Sequence, residues 1–443
     1  MTSDPGPDAG AGAPPARRRG LGALAIDTTP LSVPAFRRLW SAGVVATVGS
    51  QFTVVAVPQQ LFQLTGSSGY VGLSGLFALV PLIVFGLWGG AVADRVDRRL
   101  LVVLTTAGIA VTSLAFGLLA LTGTARVWSV LTLLAVQTAF AAVNQPARAA
   151  MIPRLVGPGL VASANALNTT VFAIGVIAGP LLAGVLLPLT GVTALYLIDA
   201  VGLTLALLVL RGLPPARPER DGRHIGGSGG LRDVVEGFGY LATQKILLAS
   251  FVVDIIAMVA GMPRALFPQM AQQTFGGPSD GGIALGLLNA GIGIGAVLGG
   301  LTSGWIGRVD RMGRAVVMAV GLWALAMVGF GLTSSLVLAV GFLAIGGLAD
   351  NASAILRSTI LQTAATDAMR GRLQGVFTVV VAGGPRLGDL VHGGVADLTS
   401  TRFAAAGGGV AVLLLLALVM LPLSAFWVYD RRTPVPAAAA TPA

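Results

Sequence analysis

The sequence predicts an all-α membrane protein with twelve transmembrane helices arranged as two pseudo-symmetric six-helix bundles. Three observations predict this fold class. Apolar runs of about 20 residues, the length that spans a bilayer, recur along a chain in which 55% of the residues are hydrophobic and 10% are charged. Arginines are concentrated in alternate loops, as they are on the cytoplasmic side of membrane proteins. Several short motifs of the first half recur in the second half.

The apolar runs form two sets of six, separated by a polar, arginine-bearing segment. The predicted spans are 38–64, 70–93, 99–122, 127–147, 161–187 and 192–211, and then 246–268, 282–306, 314–333, 336–358, 373–396 and 403–428. We therefore expect an N-terminal bundle over 33–211, a cytoplasmic linker over 212–245 and a C-terminal bundle over 246–429. The Pro- and Ala-rich ends, 1–32 and 430–443, predict disordered cytoplasmic tails.

The distribution of basic residues predicts the orientation of these spans. If both termini are cytoplasmic, all but four of the 28 lysines and arginines lie in cytoplasmic segments; the exceptions are Arg126, Arg264, Arg386 and Arg402. This asymmetry predicts a multi-pass protein of the bacterial inner (cytoplasmic) membrane. The net charge of +10 follows from the same loops, so we expect the lipid bilayer, and no nucleic acid, among its partners.

An internal repeat supports two equivalent halves. Gly179-Pro180 matches Gly384-Pro385 at an offset of 205 residues, and the pair Asn144 and Arg148 matches Ser353 and Arg357 at an offset of 209. Two six-helix halves in the same orientation are the plan of many secondary transporters. Chance similarity between glycine-rich helices is the alternative.

The stretch from Gly90 to Arg99 predicts a hairpin at the membrane surface. It carries five charges, each of which would cost about 2.5–3.5 kcal/mol at the bilayer centre. It resembles the loop motif of the major facilitator superfamily, except that Asp97 stands where that family usually has glycine. The resemblance implies a gate that contacts the eleventh span near Gly371 when the cytoplasmic side is closed, with a solvated turn as the alternative. The gating residues would be Gly90, Asp94, Arg95, Arg98 and Arg99.

A glycine-rich motif lies in the fifth span, at Gly175, Gly179, Pro180 and Gly184. It resembles the antiporter motif of drug exporters in the same superfamily, although Ala166 replaces the upstream glycine. Small residues allow helices to approach closely, and Pro180 can bend the span. The motif predicts either a tight interface between the bundles that limits leak or ordinary helix packing.

Three longer segments resemble the enterobactin-exporter group of the superfamily. They are Asn144–Pro153 with Ala164–Asn168, Gln362–Gly375, and Asp254 with Gly261–Pro268. The resemblance implies secondary active export of a siderophore or an amphipathic drug-like molecule, by proton antiport with alternating access. The mid-helix arginine of many proton-coupled exporters is absent from the fourth span, where Gln137 is the polar residue. Import or facilitated movement of a small nutrient is the alternative.

Four carboxylates lie within predicted spans: Asp199, Asp254, Asp350 and Asp389. An ionisable residue inside the membrane predicts a functional site, and we expect Asp254 and Asp199 to couple transport to protons or substrate. Hydrogen bonds to hydroxyl or amide groups of a neighbouring helix are the alternative. Asp389 is expected to pair with Arg386, three residues earlier, and His392 to be hydrogen-bonded.

Asp350, Ser353 and Arg357 share one helical face near the predicted cytoplasmic surface. With other charged residues at that surface they predict a cytoplasmic gate network, whose members are Arg148, Asp350, Arg357, Arg370 and Arg372.

Amides buried in a membrane need partners, so polar side chains in the first and fourth spans predict a central cavity. Its expected lining includes Gln51, Gln137, Asn144 and Met258. The alternative is that the amides only join neighbouring helices.

Several classes of function are disfavoured by the sequence. The chain has no cysteine and two histidines, so we expect no metal site and no cofactor. It lacks a phosphate-binding loop for ATP hydrolysis and a cluster of catalytic side chains, which disfavours an enzyme; a sensor is disfavoured as well. We expect a monomer whose partners are a small-molecule substrate, protons and the bilayer.

Overall fold

The computed structural model describes residues 26–93, 96–216 and 231–430, and these residues form helices without strands. The helices are α1 (Pro34–Thr65), α2 (Ser68–Ala93), α3 (Arg98–Leu121), α4 (Val127–Val156), α5 (Val161–Leu210), α6 (Leu231–Thr243), α7 (Lys245–Gly261), α8 (Gly282–Leu301), α9 (Met312–Leu332), α10 (Leu336–Ala364), α11 (Asp367–Leu398) and α12 (Thr401–Met420). Short helical turns occupy Thr29–Ser32, Pro158–Leu160, Arg264–Leu266, Phe267–Gln269, Met270–Thr274, Ser303–Arg308 and Ser424–Trp427. Most of both predicted tails lies outside the described residues.

Ten helical segments of the described chain are long and apolar enough to cross a membrane. One of them, Pro158–Leu210, has 53 residues, more than twice the roughly 20 that a bilayer needs. Gly191 divides it, with φ 67 and ψ 179, a conformation that is essentially restricted to glycine. The helix α5 therefore crosses the membrane twice, as the separate runs 161–187 and 192–211 predict.

The helix α11 is a further crossing, as the run 373–396 predicts. It has 32 residues and packs along α2. It also carries several charges, which are Arg370, Arg372, Arg386, Asp389 and Asp397. With α11 and both arms of α5 counted, the described residues cross the membrane twelve times, and the predicted all-α membrane fold is confirmed.

The crossings pack as two groups. The helices α1 to α5 contact one another in the N half (34–210), and α7 to α12 contact one another in the C half (245–420). Between the groups, the extensive contacts are those of α2 with α11 and of α5 with α8. Any opening between the halves must therefore separate these two helix pairs.

The connections between helices define two faces of the molecule. The basic face holds 26–33, 96–97, 157–160, 211–216, 302–311 and 365–366. The opposite face holds 66–67, 122–126, 190–191, 275–281, 333–335 and 399–400. At the basic face, Ser163 Oγ donates to Asp27 Oδ2 at 2.6 Å, which attaches the first described residues to the start of α5.

The predicted linker contains a helix that its polar composition conceals. The helix α6 packs against α11, where Gly237 lies against Val376 and Arg372 pairs with Glu236 at 3.3 Å. Leu241 of α6 is buried. The linker is thus anchored at the basic face by its contact with α11.

We predict that Gly191→Ala lowers the free energy of unfolding by about 1–3 kcal/mol, because a methyl group is strained in this backbone conformation. Gly321→Ala in α9 is the matched control, since nothing lies within 4 Å of an added Cβ there and alanine favours a helix. Thermal unfolding of both purified variants in detergent measures the difference. Equal melting temperatures would contradict a bend that depends on Gly191.

Candidate functional site

Three side-chain hydrogen bonds join the two halves at the opposite face, and we call them the outer clamp. They run from Gln59 Nε2 to the Ser279 carbonyl (3.1 Å), from Ser68 Oγ to Gln269 Oε1 (2.7 Å) and from Ser67 Oγ to Asp397 Oδ2. Each bond has its donor in the N half and its acceptor on the other side of the interface. The outer clamp therefore holds the interface closed at the opposite face.

Glycines allow the backbones of the two halves to touch beneath the outer clamp. An added Cβ on Gly184 of α5 would lie 2.8 Å from the Cα of Gly286 in α8. An added Cβ on Gly72 or Gly75 of α2 would collide with backbone carbonyls of α11. Because a backbone cannot rotate aside as a side chain can, a larger residue at these positions would force the halves apart.

The residues of the predicted antiporter-like motif pack against two different helices, α1 and α8. Gly175 and Gly179 face Thr47 and Gln51 of α1, within the N half. Gly184 faces α8 of the C half, and the Pro180 carbonyl also lies against α8. The motif thus lets one helix pack closely on both sides, and its end reaches the interface between the halves.

Asp254 of α7 and Arg357 of α10 form a buried ion pair in the C half. Arg357 Nη2 lies 2.9 Å from Asp254 Oδ1, and both side chains are 2% exposed. Arg357 Nη1 donates to Ser353 Oγ at 2.8 Å. Asp350 Oδ1 lies 4.0 Å from the same Nη2, on a side chain that is 26% exposed. Arg357 is therefore positioned between a buried carboxylate and a more accessible one.

The structure corrects one prediction about Arg357 and the alternative interpretation of Asp254. Arg357 is buried within the bundle and does not lie at the cytoplasmic surface, and the partner of Asp254 is a guanidinium instead of a hydroxyl or an amide. The spacing of Asp350, Ser353 and Arg357 was the available signal, because it places the arginine on the same helical face as two other polar residues. The spacing carries no information about which helix that face meets.

Asp199 is the buried acid of the N half, and its described partners are neutral. Ser113 Oγ donates to Asp199 Oδ2 at 2.6 Å, and Thr53 Oγ1 lies 3.4 Å from the same oxygen. Asp199 Oδ1 has no hydrogen-bond partner among the described residues, and it packs against Gly49, where an added Cβ would collide with it. Two hydroxyls from two other helices thus surround a carboxyl that lacks a described counter-ion.

The predicted cavity residues have different positions in the structure. Gln51 is half-buried. Gln137 and Asn144 are buried and donate to hydroxyls of α3 at 2.9 and 2.7 Å, and Met258 packs against α11. In this conformation Gln137, Asn144 and Met258 join neighbouring helices, which corrects the prediction that they line a cavity.

The predicted gating hairpin is described only in part. Gly90 lies near the end of α2, and Asp94 and Arg95 lie outside the described residues. Arg98 and Arg99 donate to backbone carbonyls of α4 and of the turn after α5, at 3.3 and 2.5 Å. These two contacts hold the hairpin against the N half.

Asp97 has a structural role that glycine could not fill. Its Oδ1 accepts from the N–H of Arg99 at 2.9 Å, which caps α3, and from the N–H of Ala216 at 3.1 Å. A capping carboxylate at the positive end of a helix is stabilising. Asp97 therefore ties the hairpin to the segment that follows α5.

Among the described residues, the printed contacts of Arg148, Asp350, Arg357 and Arg372 do not join these predicted gate residues into one network. Arg148 Nη2 donates to a backbone carbonyl of α1 at 2.7 Å, within the N half. Asp350 and Arg357 belong to the buried cluster of the C half. Arg372, on the same helix as Arg370, pairs with α6. The described pairs thus each lie on one side of the interface.

Asp389 and His392 of α11 bond to the backbone. Asp389 Oδ1 accepts from the N–H of Ala265 at 3.1 Å. Asp389 and Arg386 interact electrostatically, but no ion pair within 4.0 Å joins them in the described chain. His392 is buried, and its Nδ1 lies 3.0 Å from the Gly388 carbonyl, as expected for a hydrogen-bonded histidine.

We predict strong energetic coupling between Asp254 and Arg357. Removal of one partner leaves an uncompensated buried charge and costs about 3–5 kcal/mol, whereas removal of both costs less than the sum of the two losses. A double-mutant cycle with Asp254→Asn and Arg357→Gln, followed by unfolding in mixed micelles, measures the coupling. The exposed pair Glu236 and Arg372 is the matched control, with about 0–1 kcal/mol expected. Additive losses at the buried pair would rule out the coupling.

Comparisons with known proteins identify the family. The chain matches the family model described as transmembrane secretion effector over residues 25–435. Enterobactin exporter EntS from Shigella boydii serotype 18 (strain CDC 3083-94 / BS512) is 30% identical over 404 residues, which cover 90% of this chain and 94% of that protein. The protein of the same name from Citrobacter koseri is 29% identical over 403 residues, which cover 91% of this chain and 95% of that protein.

A crystal structure of the nucleoside transporter NupG shares the fold. The two structures superimpose with a TM-score of 0.69 and 14% sequence identity, over 88% of this chain and 98% of that chain. This likeness supports the fold alone, whereas the family match and the 30% identity extend over 90% of the sequence or more. The chain belongs to the transmembrane secretion effector family, within the major facilitator superfamily of membrane transporters.

Proposed function

We propose that this chain is a secondary active transporter that exports a siderophore or an amphipathic drug-like small molecule across the inner membrane. The observation that carries the proposal is the 30% identity to enterobactin exporter EntS over 90% of the chain. An alignment of this length extends over both halves of the chain, so the similarity is not limited to a local motif. The relatives are transporters, and we propose no enzymatic reaction for this chain.

The proposed orientation follows from the distribution of charge. Loops rich in arginine lie on the cytoplasmic side of membrane proteins, so the basic face is cytoplasmic and both termini lie in the cytoplasm. The opposite face is then periplasmic. Because the outer clamp closes that face, the described conformation is closed to the periplasm, and an exported molecule would enter from the cytoplasm.

Alternating access would move two bodies, the bundle over 33–211 and the bundle over 246–429, joined by the linker over 212–245. Opening to the periplasm breaks the outer clamp and separates α2 from α11 and α5 from α8. Closure at the cytoplasmic side would bring Asp94 towards the start of α11 and would assemble the gate arginines. One chain contains the complete pathway, so we propose a monomer.

Protons are the proposed coupling ions, and the two buried acids are the proposed coupling groups. Protonation of Asp254 would remove the charge that holds Arg357, and an unpaired buried guanidinium favours rearrangement. Protonation of Asp199 would remove a charge that has no described counter-ion, at no cost to an ion pair. The two acids could thus respond to protons without direct contact between them.

We predict that Asp254→Asn abolishes proton-driven efflux, because the side chain keeps its size but loses its protonation step. The measurement is efflux from proteoliposomes after a pH jump, with a panel of siderophores and amphipathic dyes. Asp27→Asn, an exposed substitution at the basic face, is the matched control and should transport normally. Normal pH-driven efflux by Asp254→Asn would remove this residue from the coupling mechanism. Gradient-independent movement in the unmodified protein would indicate a facilitator.

We predict that a link across the outer clamp stops transport. The chain has no cysteine, so the pair Ser67→Cys and Asp397→Cys supplies its only thiols. A short cleavable thiol-reactive linker should join them in the closed conformation and block efflux, and reductive cleavage should restore it. The two single variants, treated in the same way, are the controls. Full transport by the linked protein would mean that the clamp does not open during the cycle.

A further inference from the structure

We infer that Arg264 and Arg386 form a subsite for the acidic group of the transported molecule, so that the substrate is an organic anion with a carboxylate. This inference rests on the proposed function and gives its substrate a chemical class. The two arginines come from the turn after α7 and from α11. Both are exceptions to the asymmetry of basic residues along the chain.

The two arginines lie at the interface between the halves. The turn Arg264–Leu266 contacts both α2 and α11. An added Cβ on Gly75 of α2 would collide with the backbone carbonyl of Arg386. Asp397 of the outer clamp lies eleven positions after Arg386 in α11, about 16 Å along a helix that rises 1.5 Å per residue. The subsite therefore lies within the membrane, on the inner side of the clamp.

Neither arginine has a hydrogen bond or an ion pair within 4.0 Å to any residue that the structure describes. Arg264 is exposed and Arg386 is half-buried. By contrast Arg402, another exception to the charge asymmetry, donates to the last carbonyls of α9. An intramembrane guanidinium with five unsatisfied donors needs a partner. A ligand is the candidate for these two arginines because the described residues supply neither a hydrogen bond nor an ion pair within 4.0 Å.

The neighbouring carboxylates of the described chain do not form hydrogen bonds or close ion pairs with Arg264 and Arg386. Asp389 is close enough to both arginines for an electrostatic attraction, but its Oδ1 accepts a hydrogen bond from the N–H of Ala265. Asp350 faces Arg264 and lies 4.0 Å from Arg357. With Asp254 these residues make three arginines and three aspartates, so no net charge attracts the ligand. The attraction is local, since a guanidinium presents a planar fork of donors that matches two adjacent oxygens.

The test uses full-length protein in proteoliposomes and two probes of opposite charge: 2,3-dihydroxybenzoate, which carries a carboxylate and a catechol, and the ethidium cation. The variants are Arg264→Gln, Arg386→Gln and the double variant, and Arg126→Gln at the exposed start of α4 is the matched control. We expect the double variant to raise the KM for the anion about tenfold or more, as for a lost charge-assisted contact. Ethidium transport and the control should be unchanged.

The remaining outcomes are equally decisive. An equal loss for both probes, or an unchanged KM for the anion, would overturn the inference and leave export intact. If the unmodified protein transports neither probe, the proposed function fails for these molecules, and calorimetric binding of 2,3-dihydroxybenzoate decides the subsite. Binding that depends on both arginines supports it, and absent or unaltered binding overturns it. Arg264→Lys and Arg386→Lys keep the charge without the fork and should weaken anion binding less than glutamine; they replace the glutamine variants if those fail to fold.

Discussion

Hydrocarbon solvates neither a charge nor an unpaired polar group, and most of this arrangement follows from that constraint. It keeps the arginine-bearing connections at one face of the molecule. It also accounts for the hydrogen bonds of Gln137 and Asn144 to α3 and for the pairing of Arg357 with Asp254 at 2.9 Å. Arg264 and Arg386 are among the groups for which the described chain supplies no hydrogen bond or ion pair, and under our inference their partner is the transported molecule.

Closure at the opposite face is strong enough to exclude leak and weak enough to be undone. Two of the three hydrogen bonds of the outer clamp join neutral groups and contribute only about 0.5–1.5 kcal/mol net each, and the third, from Ser67 to the Asp397 carboxylate, contributes about 1.5–3 kcal/mol. The glycine contacts bring backbones together without interlocking side chains. A ligand can shift an equilibrium between two conformations only by its difference in affinity for them. A buried ion pair across the interface would oppose such a shift. The strong buried pair that the structure describes, Asp254 with Arg357, instead lies within one half.

The sequence predicted the spans well because hydrophobicity is a local property of each run, and even the division of α5 at Gly191 was visible in it. It predicted partners poorly because pairing depends on which helices meet. Asp254 has no basic neighbour one turn away on its own helix, and Arg357 lies 103 positions further along the chain. The helix α6 lies in a segment whose overall polarity predicts a linker, although Val234, Phe238 and Leu241 recur there at helical spacing.

The two halves repeat one topology but treat a buried acid differently. In the N half, Asp199 has hydroxyl partners and one oxygen without a described hydrogen bond, so its protonation breaks no described ion pair. In the C half, Asp254 has a guanidinium partner, so its neutral form would leave a charge unbalanced. Under the proposed mechanism, protonation of Asp199 leaves no charged partner without its counter-ion. Protonation of Asp254 leaves the Arg357 guanidinium without its counter-ion, which favours pairing with another carboxylate. Asp350 is already 4.0 Å from that guanidinium, and it is the accessible acid through which such a rearrangement would reach the interface between the halves.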